Sequence, residues 1–174
     1  LDVSTDLAYL ATDEYALSKA RQENILFNSR HSNWTVIRPY ITFSDERLQL
    51  GVLEKEDWLF RALNDRTIVF SKDINDRLTT LTYGEDVARA IVSIIGRPDA
   101  LSEAFHITSP STLHWSDILK TYLDTLQEHR TVRPKIVLTD LPTFMKAHPA
   151  RYQIAYDRLY DRTFDCTKIN RFFD

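Results

Sequence analysis

Apolar positions along this chain follow two rhythms, one with the period of a helix and one with that of a buried strand. From Asp13 to Asn28 they recur with the 3.6-residue spacing of an amphipathic helix. The β-branched run Trp34-Thr35-Val36-Ile37-Arg38-Pro39 predicts a buried strand from Trp34 to Tyr40, closed by proline. Helices are predicted at Glu56 to Leu63 and Glu85 to Ile95, the second stopped by Gly96 and Pro98. Strands are predicted at Thr67 to Phe70, Leu78 to Thr82 and Ala104 to Ile107. Ser111 to His114 leads into a helix from Trp115 to about Leu126, and Lys135 to Leu138 predicts one more strand. The tail has helical signals at Leu141 to Lys146 and Arg151 to Asp161, separated by Pro149, then a short turn near Thr167. Strands alternating with helices predict an α/β fold.

The candidate chemistry sits on the first helix. In Tyr15-Ala16-Leu17-Ser18-Lys19 the phenol and the ammonium stand four residues apart and so share one face. A lysine charge placed there stabilises a phenolate, bringing a phenol whose ordinary pKa is about 10 toward use in proton transfer near neutral pH. Ser4 and Thr5 lie a short loop upstream, where one hydroxyl can hold the substrate oxygen on which the tyrosine acts. Period-two alternation lets only one of them face the site.

The order of segments resembles the extended short-chain dehydrogenase/reductase family, the NAD-dependent epimerases and dehydratases that act mostly on nucleotide sugars. The resemblance is carried by the Tyr-x-x-x-Lys helix, a strand ending in Arg38-Pro39, Arg77 ahead of a strand that runs into Asp86-Val87-Ala88, and a late Thr167-Lys168-Ile169, together nearly the whole chain. It implies an incomplete Rossmann-like doubly wound sheet. Residues 1–45 would be the end of the nucleotide-binding domain with the catalytic helix, and residues 46–174 a small mixed α/β substrate-binding region. Tyr15 would be the general acid/base and Lys19 would also bind the nicotinamide ribose. Thr5, rather than Ser4, would be the favoured hydroxyl, Pro39 would place backbone near the nicotinamide, and Arg77 would hold a substrate diphosphate with its planar fork. Where relatives read Arg-Pro-x-Asn-Val-Tyr-Gly-Pro, this chain reads Arg38-Pro39-Tyr40-Ile41-Thr42-Phe43-Ser44-Asp45. That departure points toward the reductase-like, atypical branch. Pro39 also has a sufficient structural role as a strand terminator, and Asp86 reads as a helix-opening carboxylate.

The family begins with a strand, a glycine-rich turn and a helix that cradle the cofactor pyrophosphate. This chain has three glycines, Gly51, Gly84 and Gly96, too far apart for such a loop, and opens on Leu1-Asp2-Val3, which suits the tail of a strand. The resemblance therefore implies the carboxyl-terminal part of a longer enzyme, lacking about 100 to 130 residues that bind most of the NAD or NADP. Composition adds exclusions. A net charge of −3 offers no broad attraction for nucleic acid, and no apolar run reaches bilayer length. The single Cys166 fits a reducing cytoplasm, and five scattered histidines predict no metal site. Tyr152, Tyr156 and Tyr160 form a stripe that reads as packing surface. The family mode implies a homodimer through the Tyr15 helix, whose Ala16, Leu17, Ala20 and Ile25 exceed one buried stripe. Two competing readings are a non-catalytic binding or regulatory protein of dehydrogenase-like fold and an unrelated small domain.

Overall fold

The computed structural model describes residues 4–130 and 134–173, so the strand-tail reading of Leu1-Asp2-Val3 lies outside the described residues. The chain opens with α1 (Leu7–Leu10) and α2 (Tyr15–Phe27), then β1 (Thr35–Pro39), β2 (Thr42–Phe43) and α3 (Lys55–Leu63). Next come β3 (Ile68–Ser71), α4 (Lys72–Asn75), β4 (Leu78–Thr79), β5 (Thr82–Tyr83) and α5 (Gly84–Ile94). After a 3₁₀ turn at Pro98–Ala100 follow β6 (Glu103–Ile107), β7 (Leu113–His114) and α6 (Trp115–Arg130). The last part holds β8 (Ile136–Thr139), α7 (Leu141–Ala147), α8 (Arg151–Gln153) running into a π turn at Ile154–Arg158, and α9 (Thr167–Asn170).

Among the described residues strands pair in twos, and three of the four pairs are parallel. β1 lies beside β6 over five residues, with Arg38 opposite His106 and Pro39 opposite Ile107. β2 pairs with β5, β3 with β8, and only β4 with β7 is antiparallel. Parallel neighbours need crossovers, which the intervening helices supply, and this makes the fold α/β. α5 shows the logic most plainly: Val87, Ala90 and Ile94 share its buried face, Glu85 and Asp86 occupy its first turn, and Gly96 follows it at φ 77°. They pack with Phe105, Ile107 and Ile169 into a small core under β1 and β6. A larger core gathers Leu50, Trp58, Ile68, Phe70, Trp115, Leu119, Phe144 and Ile154. At its edge Gly51 has φ 61°, and a β-carbon there would stand 2.6 Å from the Phe70 ring, so both the backbone angle and the close approach require glycine.

Three expectations are corrected. The first helix starts at Tyr15 rather than Asp13, because Glu14 is extended (φ −51°, ψ 142°) and supplies no side-chain cap. That helix is also hardly amphipathic in the fold: only Leu17 is buried, and Ile25 is 71% exposed. The segment Leu78 to Thr82 is two short strands in different pairs, broken at Thr80, whose buried hydroxyl donates to the Arg162 carbonyl at 2.9 Å.

Candidate active site

The N-terminal end of α2 and the C-terminal end of β1 form one wall of a cleft of about 790 Å³. Glu14, Tyr15 and Ala16 come from the helix, and Pro39, Tyr40, Ile41 and Thr42 from the strand end. Arg47 and Gln49 close one side; Tyr9, Tyr152, Gln153, Tyr156, Asp157, Arg158 and Arg162 make the facing wall. Tyr15 is 75% exposed, and the Lys19 ammonium stands 5.4 Å from its ring centroid, hydrogen-bonding to Gln22 Oε1 at 3.3 Å. The four-residue spacing thus delivers the expected stacking of ammonium on phenol.

Charge is organised on the facing wall. The Asp157 carboxylate accepts from the Tyr40 hydroxyl at 2.8 Å, from Arg162 Nε at 2.8 Å and from Arg158 Nη1. Arg158 is buried and also donates from Nε to the Gly51 carbonyl at 2.9 Å, while burial holds its guanidinium below the usual arginine range. The lining thus carries three guanidiniums, Arg47, Arg158 and Arg162, beside the carboxylates of Glu14 and Asp157, and Arg47 is paired in turn with Glu54 at 3.3 Å. A concave site with planar guanidinium donors and aromatic walls suits a polar ligand carrying a ring. The aromatic part is a tyrosine cluster: Tyr9 is buried with its ring 5.0 Å from Tyr152 and 4.7 Å from Tyr156. Tyr156 donates to Asp6 Oδ2 at 2.6 Å, which lowers the Asp6 carboxyl and raises the Tyr156 phenol. Asp6 in turn caps α1 through the amides of Ala8 and Tyr9.

Ile41 has φ 34°, a left-handed conformation that costs a β-branched residue of order 1–3 kcal/mol. Its carbonyl accepts from Thr82 N at 3.0 Å, which ties β2's entrance to β5 and holds the strained residue in the cleft wall.

Of the sequence-predicted residues, Tyr15 and Pro39 meet at the cleft, with Lys19 one turn along the helix. Ser4 and Thr5 are not among the lining residues; the Ser4 hydroxyl accepts from Asp6 N at 3.3 Å and Thr5 is exposed. Arg77 is exposed after α4 and is not among the lining residues, its carbonyl accepting from Trp115 N at 3.1 Å. The cations that do line the cleft are Arg47, which reaches it only through the fold, and Arg158 and Arg162, four residues apart around Asp157. The tyrosine stripe does pack, through Tyr152 and Tyr156, but its packing surface is itself cleft wall. Among the described residues no group of three metal-ligating side chains converges, and no helix is long and apolar enough to cross a membrane.

No protein-family model matches the sequence, and no curated protein does. Solved structures do match. PbgP3 from Burkholderia pseudomallei superposes with TM-score 0.66 at 16% identity, over 91% of this chain and 46% of that one. An epimerase from Methanothermobacter thermautotrophicus superposes with TM-score 0.62 at 13% identity, over 91% and 42%. The fold is Rossmann-like. A UDP-glucuronic acid 4-epimerase from Bacillus cereus, solved with UDP-glucuronic acid and NAD, agrees with TM-score 0.61 at 12% identity, over 90% and 44%. This chain therefore spans less than half the length of each of these three proteins.

Proposed function

We propose that this chain is the catalytic and substrate-binding part of an NAD(P)-dependent epimerase, dehydratase or reductase acting on a nucleotide sugar. The observation that carries the reading is the shared cleft: Tyr15 and Pro39 on one wall, three guanidiniums on the others. Tyr15 transfers a proton to or from a substrate hydroxyl, and Lys19 holds positive charge over its ring. Arg47 and Arg162 meet phosphate oxygens, for which a planar fork is suited. The nicotinamide cofactor supplies the hydride acceptor or donor.

The described residues fit only one end of that cofactor. Tyr15, Lys19 and the backbone at Pro39 serve the nicotinamide ribose. For the pyrophosphate there is no amide cradle: Gly51 is closed by Phe70, Gly96 is isolated, and Gly84 opens a helix whose first turn carries Glu85 and Asp86. The reading therefore places the pyrophosphate cradle on residues other than these, and the protein in the cytoplasm as a homodimer through α2, where Ile25 and Phe27 are exposed. A non-catalytic binding role is favoured by one observation, that Ser4 and Thr5 stand outside the cleft lining.

Calorimetric titration of this chain tests the cleft assignment, and nicotinamide-dependent turnover in the protein that carries the pyrophosphate cradle separates the catalytic from the non-catalytic reading. The chain should bind UDP-glucuronic acid, taken as probe, with affinity about tenfold weaker in Arg47→Ala, and should not bind NAD or NADP at micromolar levels. Micromolar dinucleotide binding by this chain, or sugar-nucleotide binding indifferent to Arg47, overturns the assignment of the cleft.

A further inference from the structure

The helix that carries Tyr15 and Lys19 is poorly anchored by apolar contact. Leu17 is its one buried residue, and Tyr15 and Ile25 are both more than two-thirds exposed. What does hold it is polar. Four residues beyond Lys19 on the same side, Glu23 accepts from Arg38 Nε at 3.0 Å on each carboxylate oxygen and from Arg38 Nη2 as well. The pair is largely withdrawn from water, with side-chain exposures of 30% for Arg38 and 16% for Glu23. Arg38 is the β1 residue directly before Pro39, so the anchor point and the cleft wall are adjacent in the same rigid strand. On the neighbouring strand His106 stands opposite Arg38, and burial first, then the Arg38 charge, lower its pKa.

We propose that the Glu23–Arg38 pair is the positioning device for the Tyr15–Lys19 pair, fixing the rotation and axial register of α2 against the end of β1. A fork that grips both oxygens constrains rotation near the cleft, which the apolar contacts at Leu17 and, at the far end of the helix, between Phe27 and Trp34 at 5.2 Å do not. Glu23 and Arg38 touch no reacting atoms; they are positioning residues, and the inference rests on the reading of Tyr15 and Lys19 as catalytic.

The test is a charge series, Glu23→Gln, Arg38→Gln and the swap Glu23→Arg with Arg38→Glu, read in two ways. Amide hydrogen exchange on this chain needs no ligand. Each single variant should lose about tenfold protection in α2 while Ile68, Phe70 and Leu119 keep theirs, and the swap should restore α2. In the NAD-dependent enzyme, with UDP-glucuronic acid as probe, kcat should fall about tenfold at unchanged KM, again restored by the swap. Unchanged exchange in Glu23→Gln, or loss of protection throughout the core, overturns the proposal. So does the expected exchange pattern with kcat unaffected. A wild-type protein that turns over nothing defeats the functional reading alone, and the exchange series still decides whether this pair registers the helix.

Discussion

α2 and α6, of 13 and 16 residues, are held by opposite means. α6 buries Trp115, Ile118, Leu119 and Leu123 in the larger core, with Trp58 stacked on its Tyr122 at 4.4 Å and 12°. α2 buries Leu17 alone and relies on directed bonds: Arg21 to the Leu10 carbonyl at 2.8 Å, and Glu23 to Arg38. Apolar area is large but non-directional, whereas charged forks fix orientation and are weakened by salt. One helix therefore secures the fold, and the other holds the Tyr15–Lys19 pair at the cleft by directed bonds.

The widest gap should appear in core truncation. Trp115→Ala should cost about 3–5 kcal/mol, and Leu17→Ala, in its thinner packing, about 2 kcal/mol, measured by denaturant unfolding. Equal costs would dissolve the comparison. An alkaline titration sharpens it next. Burial pushes the Tyr122 phenol, which donates to the Gln49 carbonyl at 3.2 Å, up to about 12 from an ordinary value of about 10. A raised phenol stabilises the fold fully below the unfolded value and loses that contribution as pH climbs from about 10 toward 12. Stability should fall there by about 2 kcal/mol, and Tyr122→Phe should flatten the fall. The smallest effect is ionic: from about 0.05 to 1 M NaCl, α2 amides should exchange about two- to fivefold faster while α6 amides hold steady.

Helices with a buried stripe were legible in the sequence. α5 and α6 declare themselves because Val87, Ala90 and Ile94, or Trp115, Ile118 and Leu119, recur at the helical period. β1 declares itself by β-branching. α1, β2 and α4, of two to four residues, are too short for periodicity, and α1 rests on the Asp6 cap, on the Asp6–Tyr156 bond across 150 residues and on the Tyr9 ring contacts. The expected helix from Arg151 to Asp161 instead widens into a π turn, with Leu159 N bonding Ile154 O at 3.2 Å, where Asp157 and Arg158 both reach the cleft. Such wide turns recur at functional sites, and no spacing rule announces them. At the site itself, the Tyr15–Lys19 stacking follows from local helix geometry and was readable. Of the cations in its cleft, Arg158 and Arg162 lie four residues apart around Asp157, and tertiary contacts bring Arg47 to them.

The central claim is that Tyr15 transfers a proton in this cleft, and Tyr15→Phe tests it most directly because the ring stays and the hydroxyl goes. In the enzyme carrying these residues, calorimetry should show substrate and cofactor binding within about twofold of wild type while kcat falls by about 100-fold or more. An unchanged kcat in the phenylalanine variant would contradict the account.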